Sequence, residues 1–184
     1  MSILDLRCQE AVSFLSGSCN ACVATETLLL GGDNQIFLSF DFPPYAYLKL
    51  LKQAKLILFK IPLQMKTASD YTSYSAYPLL DYFSVYSCMY DPPMADYGRH
   101  EIFVDKQSCA YTEADITNVV KDWIEEEIEN KGLLLTGNIN KRLITYASGQ
   151  YHRKGMRPKL RLIYEDSGIC PPMSTTSCTV DVES

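Results

Sequence analysis

The strongest constraint on this chain is an apolar alternation of period two, repeated in short runs that prolines and glycines cut off. Residues 54–61 (AKLILFKI) set Leu56 and Leu58 on one face and Ile57, Phe59 and Ile61 on the other, and Pro62 ends the run. Residues 35–42 (QIFLSFDF) align Ile36, Leu38, Phe40 and Phe42 and stop at Pro43-Pro44. Residues 158–165 align Leu160, Leu162 and Tyr164, with Lys159 and Arg161 pointing away. Residues 25–30, 132–136 and 142–147 are shorter apolar runs of the same kind. One face in, one face out is the pattern of half-buried antiparallel strands, and many such strands in one chain build two packed sheets.

One segment breaks the period. In residues 115–129, Ile116, Val119, Val120, Trp123 and Ile124 fall at i, i+3, i+4, i+7 and i+8, a single helical stripe. Asp115 and Thr112 suit the N-cap, Glu125, Glu126 and Glu127 form an acidic face, and Asn130-Lys131-Gly132 supplies a stop. The only tryptophan, Trp123, lies on the stripe and is expected in the core, where an indole buries a large area.

The length of 184 residues suits one domain with short appendages. With 47% hydrophobic and 21% charged residues, disorder is excluded as the main state. The net charge of −5 argues against nucleic acid as the main partner, since phosphate binding needs a basic surface. No run of 18 apolar residues exists, so no membrane span is expected. Asp5, Arg7 and Glu10 interrupt the N-terminus early, which does not read as an ordinary secretory signal. The expected organisation is an N-terminal extension over 1–9, a sandwich over 10–165, and an extended Cys/Pro/Ser/Thr-rich tail over 166–184, either mobile or docked on a neighbour. Residues 69–98 carry seven tyrosines and read as a long aromatic connection, a lid or side arm.

Seven cysteines are an odd number, so pairing within the chain leaves one over. Cys8, Cys19, Cys22, Cys170 and Cys178 lie near the two ends, which suits cross-links between subunits; free thiols in a reducing cytoplasm are the alternative.

Three stretches resemble the DNRLRE-domain family, also called disaggregatase-related modules and grouped with certain carbohydrate-binding modules. IFLSFDFP followed by AKLILFKIP resembles its FLxFDL…AxLxLy strand pair. DITNVVKDWIEEEIENKGLLLTG resembles its DVTxxVxxWxxGxxxNxGlxL helix and strand. ITYASGQYHRKGMRPKLRLIYE resembles its fxSxe…RPxLxVxY closing hairpin. The resemblance covers roughly residues 10–165, with Asp115, Trp123, Asn130, Gly132, Ser148, Arg157 and Pro158 in register. The glycine usual after the tryptophan is replaced within Glu125–Glu127, and tyrosines stand where the family's middle segment often has tryptophans. The resemblance implies a mainly β, jelly-roll-like antiparallel β-sandwich with one amphipathic helix at about 115–129, and no catalysis. It also implies a surface-exposed adhesive or structural module, binding to acidic polysaccharides in some members, and a place on a cell or spore surface.

Site chemistry is sparse. His100 and His152 stand in no nucleophile elbow, phosphate loop or HExxH pattern, so neither enzyme nor cofactor is expected. Cys19 and Cys22 form a lone CNAC without a second pair for zinc. Asp33, Asp91, Asp96 and Asp105 read as turn carboxylates, the weak candidates for calcium, without an EF-hand spacing. The ligand or interface candidates are Tyr71, Tyr74, Tyr77, Tyr86 and Tyr90, whose rings suit a sugar face or a subunit interface, and the basic group Arg142, His152, Arg153 and Lys154, which suits an anionic polymer. The expected function is a non-catalytic subunit that assembles with copies of itself, filament or appendage, cross-linked through the terminal cysteines. A monomeric carbohydrate-binding module is the competing expectation.

Overall fold

The structure is a computed structural model and describes residues 1–15, 26–61, 71–84, 92–106, 108–137 and 143–165. It is mainly β: β1 (Ser2–Leu15), β2 (Thr27–Leu30), β3 (Asn34–Phe40), β4 (Leu51–Phe59), β5 (Tyr71–Pro78), β6 (Glu101–Lys106), β7 (Tyr111–Asp115), α1 (Thr117–Ile124), β8 (Leu133–Gly137), β9 (Ile144–Ala147) and β10 (Lys159–Tyr164). Eight strands run in the order β6-β5-β8-β3-β1-β10-β4-β7, every pairing antiparallel, and β2 pairs with β9 in a second small sheet. The two ends of the order, β6 and β7, lie side by side, so the sheet nearly closes into a barrel-like sandwich.

The first nine residues belong to the body and form no extension. Ser2–Arg7 pair with β10, and from Cys8 onward β1 pairs with β3, with a bulge between Cys8 and Ala11. The bulge reverses which parity faces inward. Before it, Leu4, Leu6 and Cys8 pack on the main core; after it, Ala11 does, while Val12 and Phe14 turn to the opposite face. There they meet Phe37, Leu79, Ala95 and Leu134, a second cluster roofed by part of the tyrosine-rich segment. That segment is therefore partly a strand: β5 sits between β6 and β8.

The helix spans eight residues, shorter than the stripe in the sequence. The N-cap is Ile116, which makes no side-chain cap bond, not Asp115 or Thr112 as the sequence suggested; Asp115, one residue earlier, accepts the Thr117 N–H at 3.1 Å. At its end Glu126 takes a left-handed φ of 59°, with Glu126 N–H donating to the Trp123 carbonyl and Glu127 N–H to that of Asp122. This is a Schellman stop, and it falls where the resembled pattern carries its glycine. Trp123 is buried, edge-on to Phe42 at 5.8 Å. Beyond the helix, Asn130 Nδ2 donates to the Phe40 carbonyl at 2.8 Å, and Gly132, at φ 112°, lets the backbone pass the end of β3. A Cβ there would stand 2.6 Å from the Leu38 carbonyl oxygen.

Candidate functional site

The most unusual chemistry lies where the barrel fails to close. Lys60 follows β4 and is fastened on two sides: its N–H donates to the Ala110 carbonyl at 2.9 Å, and it forms a bridge to Tyr146 of β9. Its alternation phase is that of Leu56 and Leu58, so the side chain points inward. Asp105 occupies the inward phase of β6, two residues after Phe103, and is 0% exposed. It is a strand residue in the interior, not the turn carboxylate expected from its neighbours. Lys60 Nζ stands 2.6 Å from Asp105 Oδ1 and also 2.6 Å from the Lys106 carbonyl. The Thr112 hydroxyl donates to the same Oδ1 at 2.5 Å and shares a 2.9 Å hydrogen bond with the Tyr146 hydroxyl. Thr112 and Tyr146 are buried as well. Four strand regions thus meet in one polar knot: the end of β4, β6, β7 and β9. A charge pair removed from water is costly unless its geometry is close, as it is here.

A second feature is a cleft of about 370 Å³ at the C-terminal end of α1, lined by Tyr47, Trp123, Glu126, Ile128, Glu129 and Asn130. The Tyr82 hydroxyl donates to Glu129, which raises the phenol's pKa and lowers the carboxylate's, and Lys131 lies 3.2 Å from Glu129. Two glutamates on its walls make this cleft a poor seat for a polyanion.

The residues singled out in the sequence are not brought together. Tyr74 is fully buried and stacked on Phe103 at 5.7 Å, so it can present no ring to a sugar. Tyr77 lies half-buried against Tyr97 and His100, with ring centroids 5.1 and 5.6 Å away. His152, Arg153 and Lys154 are exposed on the β9–β10 connection, which is no hairpin because β9 pairs with β2 and β10 with β1 and β4; there the rings of Tyr151 and His152 are 4.3 Å apart and His152 Nδ1 is 3.6 Å from Glu26. Asp33 lies in the β2–β3 turn, Asp96 accepts the Gly98 N–H at 2.9 Å, and no group of three or more His, Cys, Asp or Glu placed to hold a metal occurs among the described residues. Cys8 is free, its thiol donating to the Glu10 carbonyl at 2.9 Å, and burial pushes its pKa up to about 12. A thiol held protonated is a poor nucleophile for disulfide exchange. Cys109 is free and exposed in the β6–β7 connection, a position the sequence reading did not single out. Cys19, Cys22, Cys170, Cys178, Tyr86, Tyr90, Asp91, Arg142 and the Tyr71 side chain lie outside what the structure describes.

Lys60 was not singled out either, although its sequence carries a signal. Lys60 is a charged residue in phase with the apolar Leu56 and Leu58, whereas Asp105 shares its phase with Glu101 and Phe103 and opposes the apolar pair Ile102 and Val104, so the sequence hid its burial. Compared with protein-family models and with curated proteins, the chain matches none.

Proposed function

We propose that this protein is a non-catalytic structural subunit that assembles head to tail with copies of itself. The observation that carries the reading is a pair of separate exposed apolar patches. One lies on the outer face of β6, where Ile102 is 61% and Val104 45% exposed, with Tyr97 of the preceding segment also exposed. The other lies at the end of the sandwich where β1 begins, with Met1, Ile3 and Leu50 exposed. The register places these together, since Ser2 faces Tyr164 and Tyr164 faces Leu51. Strands β5, β8 and β3 lie between β6 and β1 in the sheet order, so the two patches are separate.

Exposed apolar clusters on a sheet edge mark association surfaces. Two unlike patches on one chain favour a heterologous contact, which continues into a filament when the rotation does not close. Cys19, Cys22, Cys170 and Cys178 are the candidates for locking such a contact, and the exposed Cys109 beside β6 joins them. The surface of a cell or spore is the setting that the resemblance to surface modules suggests.

Light scattering and electron microscopy in oxidising buffer test this. Assemblies that grow with concentration are expected, with Ile102→Glu and Ile3→Glu each blocking growth. Mixing the two variants restores one contact and stops at dimers, a result unique to head-to-tail association. A wild-type chain that stays monomeric, with no ladder on non-reducing gels, overturns the reading.

A second reading, binding of a uronate-type polymer, is favoured by exposed Arg153 and Lys154 beside the Tyr151–His152 ring pair. It requires salt-sensitive polymer binding that Arg153→Ala weakens, and a glycan array without hits removes it.

A further inference from the structure

We propose that Lys60 and Asp105 are partners in an intramolecular isopeptide cross-link that the folded protein forms by itself. The inference does not depend on the assembly reading. Lys60 Nζ stands 2.6 Å from Asp105 Oδ1, with the lysine side chain 13% and the aspartate 0% exposed. A carboxyl carbon lies about 1.2 Å beyond its oxygen, so a small rotation brings nitrogen and carbon to the ~3–3.5 Å of a near-attack arrangement.

The step balances without any co-reactant. A proton passes from Nζ to the carboxylate and comes to rest on Oδ2, giving a neutral amine and a neutral acid, the forms that a water-poor site accommodates at least cost. The Nζ lone pair attacks Cγ and the C–N bond forms. Negative charge gathers on Oδ1, where the Thr112 hydroxyl already donates at 2.5 Å, held in turn by the Tyr146 hydroxyl at 2.9 Å. The C–Oδ2 bond then breaks, and that oxygen leaves as water with the acid proton and one proton from Nζ. The amide stays in an interior where few waters are present to reverse it. Thr112 acts as a catalytic residue, since it touches the reacting carboxyl; Tyr146 positions Thr112.

The bond would lie where it carries most. It joins the end of β4 to β6, across the seam where β6 and β7 run side by side without a ladder between them. A covalent tie there closes the barrel that the hydrogen bonds leave open, a useful property in a subunit that bears load.

Intact-mass measurement of the denatured wild-type protein is the test. The expected mass is that of the sequence less one water, with a branched tryptic product in which Lys60 is uncleaved and joined to the peptide containing Asp105. Lys60→Arg keeps the charge but offers no amine nucleophile, and Asp105→Ala removes the electrophile; both are expected at their full calculated masses. Asp105→Asn is expected to reach the cross-linked mass by losing ammonia. Thr112→Val is expected to slow the mass change after refolding at least tenfold. A wild-type mass equal to that of the sequence, after prolonged incubation of folded protein, overturns the proposal. So does a water loss confined to one linear peptide, which marks a succinimide.

Discussion

Two aspartate–cation contacts in this molecule differ in almost everything except their chemistry. At the seam, Asp105 meets Lys60 at 2.6 Å in the interior. On the outer face of the β1–β10 pair, Asp5 is held by Arg161 in two parallel bonds of 2.7 and 2.9 Å, with Lys159 Nζ at 3.4 Å, and its side chain is 36% exposed. The outer contact has the better fork geometry. The inner one has the higher stakes, because water cannot replace a partner once it is removed. Burial, more than bond count, decides what each contact does for the fold.

The sharpest way to break the comparison is to remove one partner on each side. Asp105→Ala leaves a buried ammonium without its counter-charge and takes one of the Thr112 hydroxyl's two partners, and is expected to cost about 3–5 kcal/mol in urea unfolding. Equal costs for Asp105→Ala and Asp5→Ala would show that the seam is open to water. Replacing both inner partners, Lys60→Met with Asp105→Leu, removes the desolvation penalty along with the attraction. For a plain ion pair the double variant is expected within about 1 kcal/mol of wild type or above it. If the cross-link has formed, recovery is expected to be partial, since an apolar pair cannot restrict the unfolded chain as a covalent loop does. The double variant therefore also separates the two natures of the inner contact.

The contrast was only half legible in the sequence. Alternation with proline stops identified the strands around Ile36–Phe40, Leu56–Phe59 and Leu160–Tyr164, because in those runs the core face is uniformly apolar. The helix was legible from its stripe, though not its length, since nothing in Glu125–Glu127 announces a left-handed residue at Glu126. Strand β1 was hidden by its bulge: the shift between Cys8 and Ala11 moves Val12 and Phe14 to the other face, so no single period runs through Ser2–Leu15. Strand β5 was hidden by its composition, because Tyr74 plugs the core while Ser73, Ser75 and Tyr77 resemble connection residues. The inner contact was hidden by topology. Lys60 breaks an apolar phase, while Asp105 lies opposite the apolar Ile102 and Val104 in its own strand, and only the near-closure of the sheet shows that the two face one another.

A finer measure of the outer contact is a double-mutant cycle on Asp5→Ala and Arg161→Ala. A coupling of about 0.2–1 kcal/mol is expected, at the upper end for a bidentate pair. In 1 M salt the screening length falls to about 3 Å and the coupling is expected to shrink toward zero, whereas the cost of Asp105→Ala is expected to stay nearly unchanged. A coupling that persists at high salt would mean that Asp5 is covered in solution, as an interface between copies across Met1 and Ile3 would cover it.

The smallest effect is the acid response of Asp5. Its pKa is lowered, chiefly by the hydrogen bonds from Arg161, with the charges of Arg161 and Lys159 adding to this and partial burial opposing it. The folded state thus binds the proton less readily than the unfolded chain, where an aspartate titrates near 4. The contact's contribution is fully present above that value and is lost as pH falls through the lower folded value. The stability difference between wild type and Asp5→Asn is therefore expected to be flat from pH 7 to 5 and to close below pH 4. Because Asp5 is more than a third exposed, solvent screening keeps the whole change to about 1 kcal/mol or less. A difference that instead widens as the pH falls would reverse the sign and locate the acid-sensitive group elsewhere than on this strand pair.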